Sequence, residues 1–193
     1  DDITITPEAF SYPLSFAQKR IYYASKLSGE NSLLYNISGG LLIPSHLDKE
    51  KTEFVINKII EDNPAFRTYF KMENNEPRQF ILPSYKFNLT TFEDKNLSKK
   101  DIQDLINSYP KAFDLKFAPL LRVELHYIGN STLLLIDSHH IILDGTSLDI
   151  LLKDFCKLYN NESIPDKGIS YKDFAVWESK IINSENIKNI RNY

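Results

Sequence analysis

The chain has 193 residues, with 42 % hydrophobic and 25 % charged side chains, which is the length of one domain and the composition of an ordinary globular protein. That excludes a disordered chain, a fibrous repeat and a small disulfide scaffold. A net charge of −3 leaves no electrostatic footprint for nucleic acid, and no apolar run approaches the roughly 18 residues of a membrane span. The single cysteine, Cys156, excludes an intramolecular disulfide and a cysteine-built zinc site. It falls in the helical pattern Leu151 to Leu158, where a buried, inert thiol is expected.

The chain opens Asp1-Asp2-Ile3, without methionine, basic region or apolar core of a secretory signal, and ends in a polar run at Tyr193. We therefore expect a cytoplasmic segment cut from a longer polypeptide.

In chain order, Ser15 and Gln18 form a capping-box pattern that opens a helix to about Lys26, with Gly29 as its stop. Ile37 to Ile43 reads as a strand. Asp48 opens a second helix whose Thr52, Val55, Ile56, Ile59 and Ile60 share one face, ended by Pro64. A hairpin follows, from Ala65 to Met72 and from Arg78 to Leu82 about the turn Glu73-Asn74-Asn75-Glu76. Phe87 and Leu89 predict a short strand, and Ser98 with Asp101 caps a third helix ending near Tyr109. Arg122 to Tyr127 alternates as a half-buried strand does. Gly129-Asn130 then turns the chain into Thr132 to Asp137, apolar on both faces and so central. Thr146 or Ser147 caps a helix to Tyr159, and a last helix holds Tyr171 to Trp177. Strands and helices without a regular βαβ rhythm predict one α+β domain, a mixed β-sheet packed with helices.

Two of four histidines, His139 and His140, adjoin at the exit of the central strand. Consecutive strand side chains face opposite ways. The pair is thus expected to divide its duties rather than chelate one metal. Asp144 follows, then Gly145, which permits a sharp turn or close backbone approach. Histidine is the natural group to position or deprotonate an amine or hydroxyl. His46 carries no motif, and His126, on the polar face of its strand, is expected to be solvated.

Ser138-His139-His140-Ile141-Ile142-Leu143-Asp144-Gly145 resembles the HHxxxDG signature of nonribosomal peptide synthetase condensation domains. Tyr12 to Arg20 is similar to that family's SxAQxR element. Asn63 to Phe70 is similar to HExLRTxF, with Asn63-Pro64 in place of His-Glu. Phe113-Asp114-Leu115 with Ala118 to Arg122 is similar to the stretch before the signature, and Tyr171 to Trp177 resembles YxDYAxW. The family's later elements have no counterpart. The resemblance therefore implies residues 1–193 as the N-terminal subdomain, one chloramphenicol acetyltransferase-like lobe, with the C-terminal subdomain absent from this chain.

The resemblance implies amide-forming acyl transfer from an acyl or peptidyl thioester to an aminoacyl amine. Both substrates ride on the 4'-phosphopantetheine arms of upstream and downstream peptidyl carrier proteins, beside an adenylation domain, and the domain itself binds no cofactor or metal. His140 matches the histidine that faces the tunnel and either positions or deprotonates the amine. Positioning is the reading we prefer, since orienting two tethered reactants is worth several kcal/mol. His139 matches the structural histidine. Asp144 is expected to pair with Arg67 and shape the site. Gly145 is expected to supply the turn and to offer its amide to an oxyanion. Ser15 and Gln18 read as a helix cap, and Tyr171 and Trp177 as core anchors. The alternatives are an epimerization domain, a non-catalytic carrier-docking module and a metal-binding domain. Heterocyclization is disfavoured by the intact histidine pair.

Overall fold

A computed structural model describes residues 2–94, 97–165 and 168–182. Short-range signals set most of its elements. The Ser15 hydroxyl accepts from the Gln18 amide while the Gln18 side chain accepts from the Ser15 amide, which starts helix α1 (Phe16–Ser28). Asp48 caps α2 (Lys49–Asp62), which buries Thr52, Val55, Ile56, Ile59 and Ile60. Pro64 then opens a 3-10 turn, Pro64–Arg67, so the hairpin strand β3 (Thr68–Glu73) starts three residues later than Ala65, where the sequence placed it. Its partner β4 (Glu76–Ile81) is reached through Asn74 and Asn75, at φ of 51° and 64°. Both are left-handed, as the hairpin turn matching strand twist requires.

Strand β5 is Thr90–Glu93 rather than the Phe87-Leu89 pair, whose side chains are buried in the core just ahead of it. Helix α3 (Lys99–Ser108) carries the expected Ser98/Asp101 capping box. Strands β6 (Leu121–Ile128) and β7 (Ser131–His139) are joined by a two-residue turn in which Gly129 takes φ 56°. Helix α4 (Gly145–Tyr159) is capped by Asp144, not by Thr146 or Ser147. Helix α5 (Tyr171–Ile182) is anchored by buried Asp173, which accepts from the Thr6 amide at 2.7 Å and from the Ser170 amide and hydroxyl, each at 2.7 Å.

The α+β expectation holds. A three-stranded sheet runs β1-β4-β3, with β1 being Tyr12–Pro13, and a four-stranded sheet runs β2-β7-β6-β5, with β2 being Asn36–Ile43. The larger sheet is mixed, because β5 and β6 are parallel while its other pairs are antiparallel. β7 is interior and apolar on both faces. Leu134 meets the α2–α4 side with Val55, Ile59 and Phe155, and Leu133 and Leu135 meet Ile102, Leu105 and Ile106 of α3. Gly40 of β2 is required there, since a Cβ would stand 2.8 Å from Ile106 Cγ1. A further cluster of Leu14, Tyr22, Phe70, Leu115, Leu120 and Ile141 fastens α1 and the small sheet to the segment leaving β7.

Four expectations about burial change. Cys156 is exposed, because the inward face of α4 is taken by Leu148, Leu151 and Phe155. His126 is buried: Phe92 of β5 stacks on its ring at 4.7 Å, and its Nδ1 lies 2.5 Å from the Asp94 carboxylate. Tyr171 is 44 % exposed, and Trp177 is half-buried against Phe174. No described helix is long and apolar enough to cross a membrane.

Candidate active site around His139 and His140

The site begins where β7 ends. The His139 amide donates to the Leu120 carbonyl at 3.1 Å and the His140 amide to the Tyr35 carbonyl at 2.7 Å, which hold the dipeptide between neighbouring segments. Strand alternation then separates the two rings, as the sequence required. His139 is 5 % exposed, and its ring closes one end of a cleft of about 440 Å³ shared with Ser25, Tyr35 and Phe113. Its Nδ1 accepts from the Ile141 amide at 3.2 Å. That fixes the proton on Nε2, which faces the Ser25 hydroxyl at 3.4 Å. Burial, followed by repulsion from His140, lowers its pKa to about 4. His139 is therefore a neutral imidazole at neutral pH.

His140 is exposed and lines a different cavity, of about 140 Å³, with Gln18, Thr68, Gln79, Asp144 and Tyr171 among its walls. Asp144 reaches this cavity as the cap of α4: its Oδ1 accepts from the Ser147 amide at 2.7 Å. Bonding from the Ser147 side chain and amide, and the charge of His140, together outweigh its burial and lower its pKa.

Arg67 does not pair with Asp144. Its guanidinium donates to the carbonyls of Ile60 (3.2 Å), Glu61 (3.3 Å), Leu82 (2.5 Å) and Pro83 (3.1 Å). The physical reason is local. Arg67 ends the turn just beyond α2, so the helix's orphan carbonyls and negative dipole end are its nearest acceptors. Arg67 thus braces the β4 exit against α2. Gly145 is the first residue of α4 and supplies no left-handed turn; a Cβ there would meet nothing within 4 Å. Its N–H is one of the four that a helix start leaves without an intrahelical partner.

Three features were not read from the sequence. Gln18 caps α1 as expected, yet its Nε2 also donates to the Ile141 carbonyl at 3.4 Å, tying α1 to the residue after His140. Tyr171 lines the cavity with its hydroxyl 3.0 Å from that of Ser15. Asp137, fully buried two residues before His139, accepts from Arg122 at 2.7 Å and from Asn36 Nδ2 at 2.8 Å. The i, i+2 spacing of Asp137 and His139 puts them on one face of β7, but the partners of Asp137 lie on the neighbouring strands, out of reach of short-range reading. Among the described residues no three His, Cys, Asp or Glu side chains are grouped to hold a metal ion.

Known proteins resemble this chain along nearly all of its length. The Condensation domain family matches residues 8–193. Tyrocidine synthase 3 of Brevibacillus parabrevis is 36 % identical over 183 residues, covering 94 % of this chain and 3 % of that protein. Surfactin synthase subunit 1 of Bacillus subtilis (strain 168) is 37 % identical over 170 residues, covering 88 % of this chain and 5 % of that protein. The chain thus spans a small fraction of the length of these relatives. Among solved structures, the X-domain from teicoplanin biosynthesis superposes with a TM-score of 0.83 at 18 % identity, over 96 % of this chain and 42 % of that one. The starter condensation domain of rhizomide synthetase superposes with a TM-score of 0.76 at 17 % identity, over 94 % of this chain and 48 % of that one. These two likenesses establish the chloramphenicol acetyltransferase-like fold. With the family matched along nearly all of its length, the chain belongs to the condensation domains of nonribosomal peptide synthetases.

Proposed function

We propose that this chain is the N-terminal lobe of an acyltransferase that joins a carrier-tethered acyl or peptidyl thioester to a carrier-tethered aminoacyl amine, forming an amide. The observation that carries this reading is the division of the histidine pair. His139 is buried and neutral, while His140 is presented to a cavity beside the first turn of α4. The thioester is already activated, so holding the amine against its carbonyl supplies most of what the reaction needs. His140 accepts a hydrogen bond from the amine, orients its lone pair and assists proton removal as the tetrahedral intermediate forms. The Gly145 amide, one of the free N–H groups at the start of α4, donates to the developing oxyanion. The phosphopantetheine arms belong to the partner carriers, and a second lobe completes the tunnel, so residues 1–193 alone fold without turning over.

The test uses the intact two-lobed domain with both carriers loaded, following condensed product by intact-protein mass spectrometry. Wild type is expected to form product and His140→Ala to lose a factor of about 100 or more, the usual worth of a positioned acid–base group. Equal product from both would overturn the role of His140. No product from either would favour epimerization or carrier docking instead. A pH–rate profile without an ionisation between about pH 5 and 8 would remove the general-base component and leave positioning.

A further inference from the structure

The cavity before His140 holds two buried carboxamides, Gln18 at 3 % exposure and Gln79 at 2 %. Their orientations are dictated by backbone groups that can act in only one way. The Ser15 amide, a donor, lies 3.1 Å from the outer end of Gln18, so that end is Oε1. The Pro13 carbonyl, an acceptor, lies 2.8 Å from one end of Gln79, so that end is Nε2. Gln79 Nε2 also faces Gln18 Oε1 at 3.5 Å, while Gln18 Nε2 donates to the Ile141 carbonyl. Every polar atom of the ladder is thereby engaged except Gln79 Oε1, which has no hydrogen-bond partner among the described residues. The β-ladder fixes its origin, because Gln79 pairs with Tyr12 on one side and Phe70 on the other.

From this geometry we infer that Gln79 Oε1 is a substrate-binding acceptor for an N–H of the incoming amine, acting beside His140. This assignment rests on the acyl-transfer reading above. A neutral primary amine carries two N–H groups and one lone pair. With one N–H on His140 and the other on Gln79 Oε1, its remaining direction is the lone pair, aimed at the thioester carbonyl. A neutral carboxamide suits the task, since a carboxylate there would favour the ammonium form, which has no lone pair to attack with. Gln79 Oε1 is open to the cavity rather than sealed, so an amine that lacks the second N–H forfeits that hydrogen bond and the site discriminates against it.

The experiment uses the intact domain with loaded carriers and compares a primary aminoacyl acceptor with its N-methyl counterpart, for wild type and Gln79→Met. Wild type is expected to prefer the primary amine, and Gln79→Met to shrink that preference about tenfold, the worth of one such bond. The change is expected in the acceptor's KM and kcat while the donor's KM stays fixed. An unchanged preference in a folded Gln79→Met would overturn the assignment. Should that variant not fold, wild type decides: equal use of both acceptors overturns the assignment while leaving acyl transfer standing. No product with either acceptor overturns acyl transfer and the assignment together.

Discussion

Adjacent imidazoles that differ in solvation respond differently to acid, and His139 makes this measurable. Its pKa falls from 6.5 to about 4 on folding, so between those values the unfolded chain binds a proton that the folded chain refuses. Stability is then fully present above about pH 6.5 and declines as pH drops toward 4, by roughly 3 kcal/mol. Urea midpoints at pH 7.5 and 4.5 should show this decline, and His139→Gln should flatten it. The carboxylates of Asp144 and Asp173 are held low by their hydrogen bonds, so their contributions are lost only as pH falls below the ordinary carboxylate range. Asp144 has a second, separable duty. As the cap of α4 it should cost about 1 kcal/mol when replaced by alanine. Asp144→Asn keeps the acceptor for the Ser147 amide and should recover most of that loss in thermal melts. An equal loss for both variants would place its contribution in charge rather than in capping.

Elements were legible where their signals are local. The capping boxes at Ser15/Gln18 and Ser98/Asp101 lie within four residues, and the buried stripe of α2 within nine. What failed was set by distant partners. β5 pairs with a strand some thirty positions onward, and only that pairing covers the ring of His126. Cys156 is exposed because α4 lays a different face on α2. The β6–β7 pair also carries a contact that short-range reading passes over, the Arg122–Asp137 bridge at register-matched positions. Asp137 is fully buried, and Arg122 also donates to the Lys111 and Ala112 carbonyls at 2.7 and 2.8 Å. Arg122→Ala leaves an uncompensated buried carboxylate and should cost about 3–5 kcal/mol in urea unfolding. A loss below about 1 kcal/mol, typical of an exposed pair, would show that solvent reaches Asp137.

Across the whole molecule, the site was half legible. A period of two puts His139 and His140 on opposite sides of the strand, and the structure gives each a cleft of its own. The Asp144–Arg67 pairing failed because an arginine beyond a helix end meets bare carbonyls first. Gln79 and Tyr171 lie some sixty positions before His140 and thirty after it, and only tertiary assembly brings them to one cavity. The hairpin that delivers the histidines has a consequence of its own. Ile128 faces Ser131 across the two-residue turn, and the ladder counts unbroken from there to Leu121 opposite Ser138. Which imidazole meets the cavity is therefore a matter of parity, decided some ten residues away by the number of residues in a turn that Gly129 makes possible at φ 56°. One residue gained or lost between Gly129 and Ser138 would exchange inside for outside along the strand. The buried ring would become the solvent-facing one without either histidine being touched.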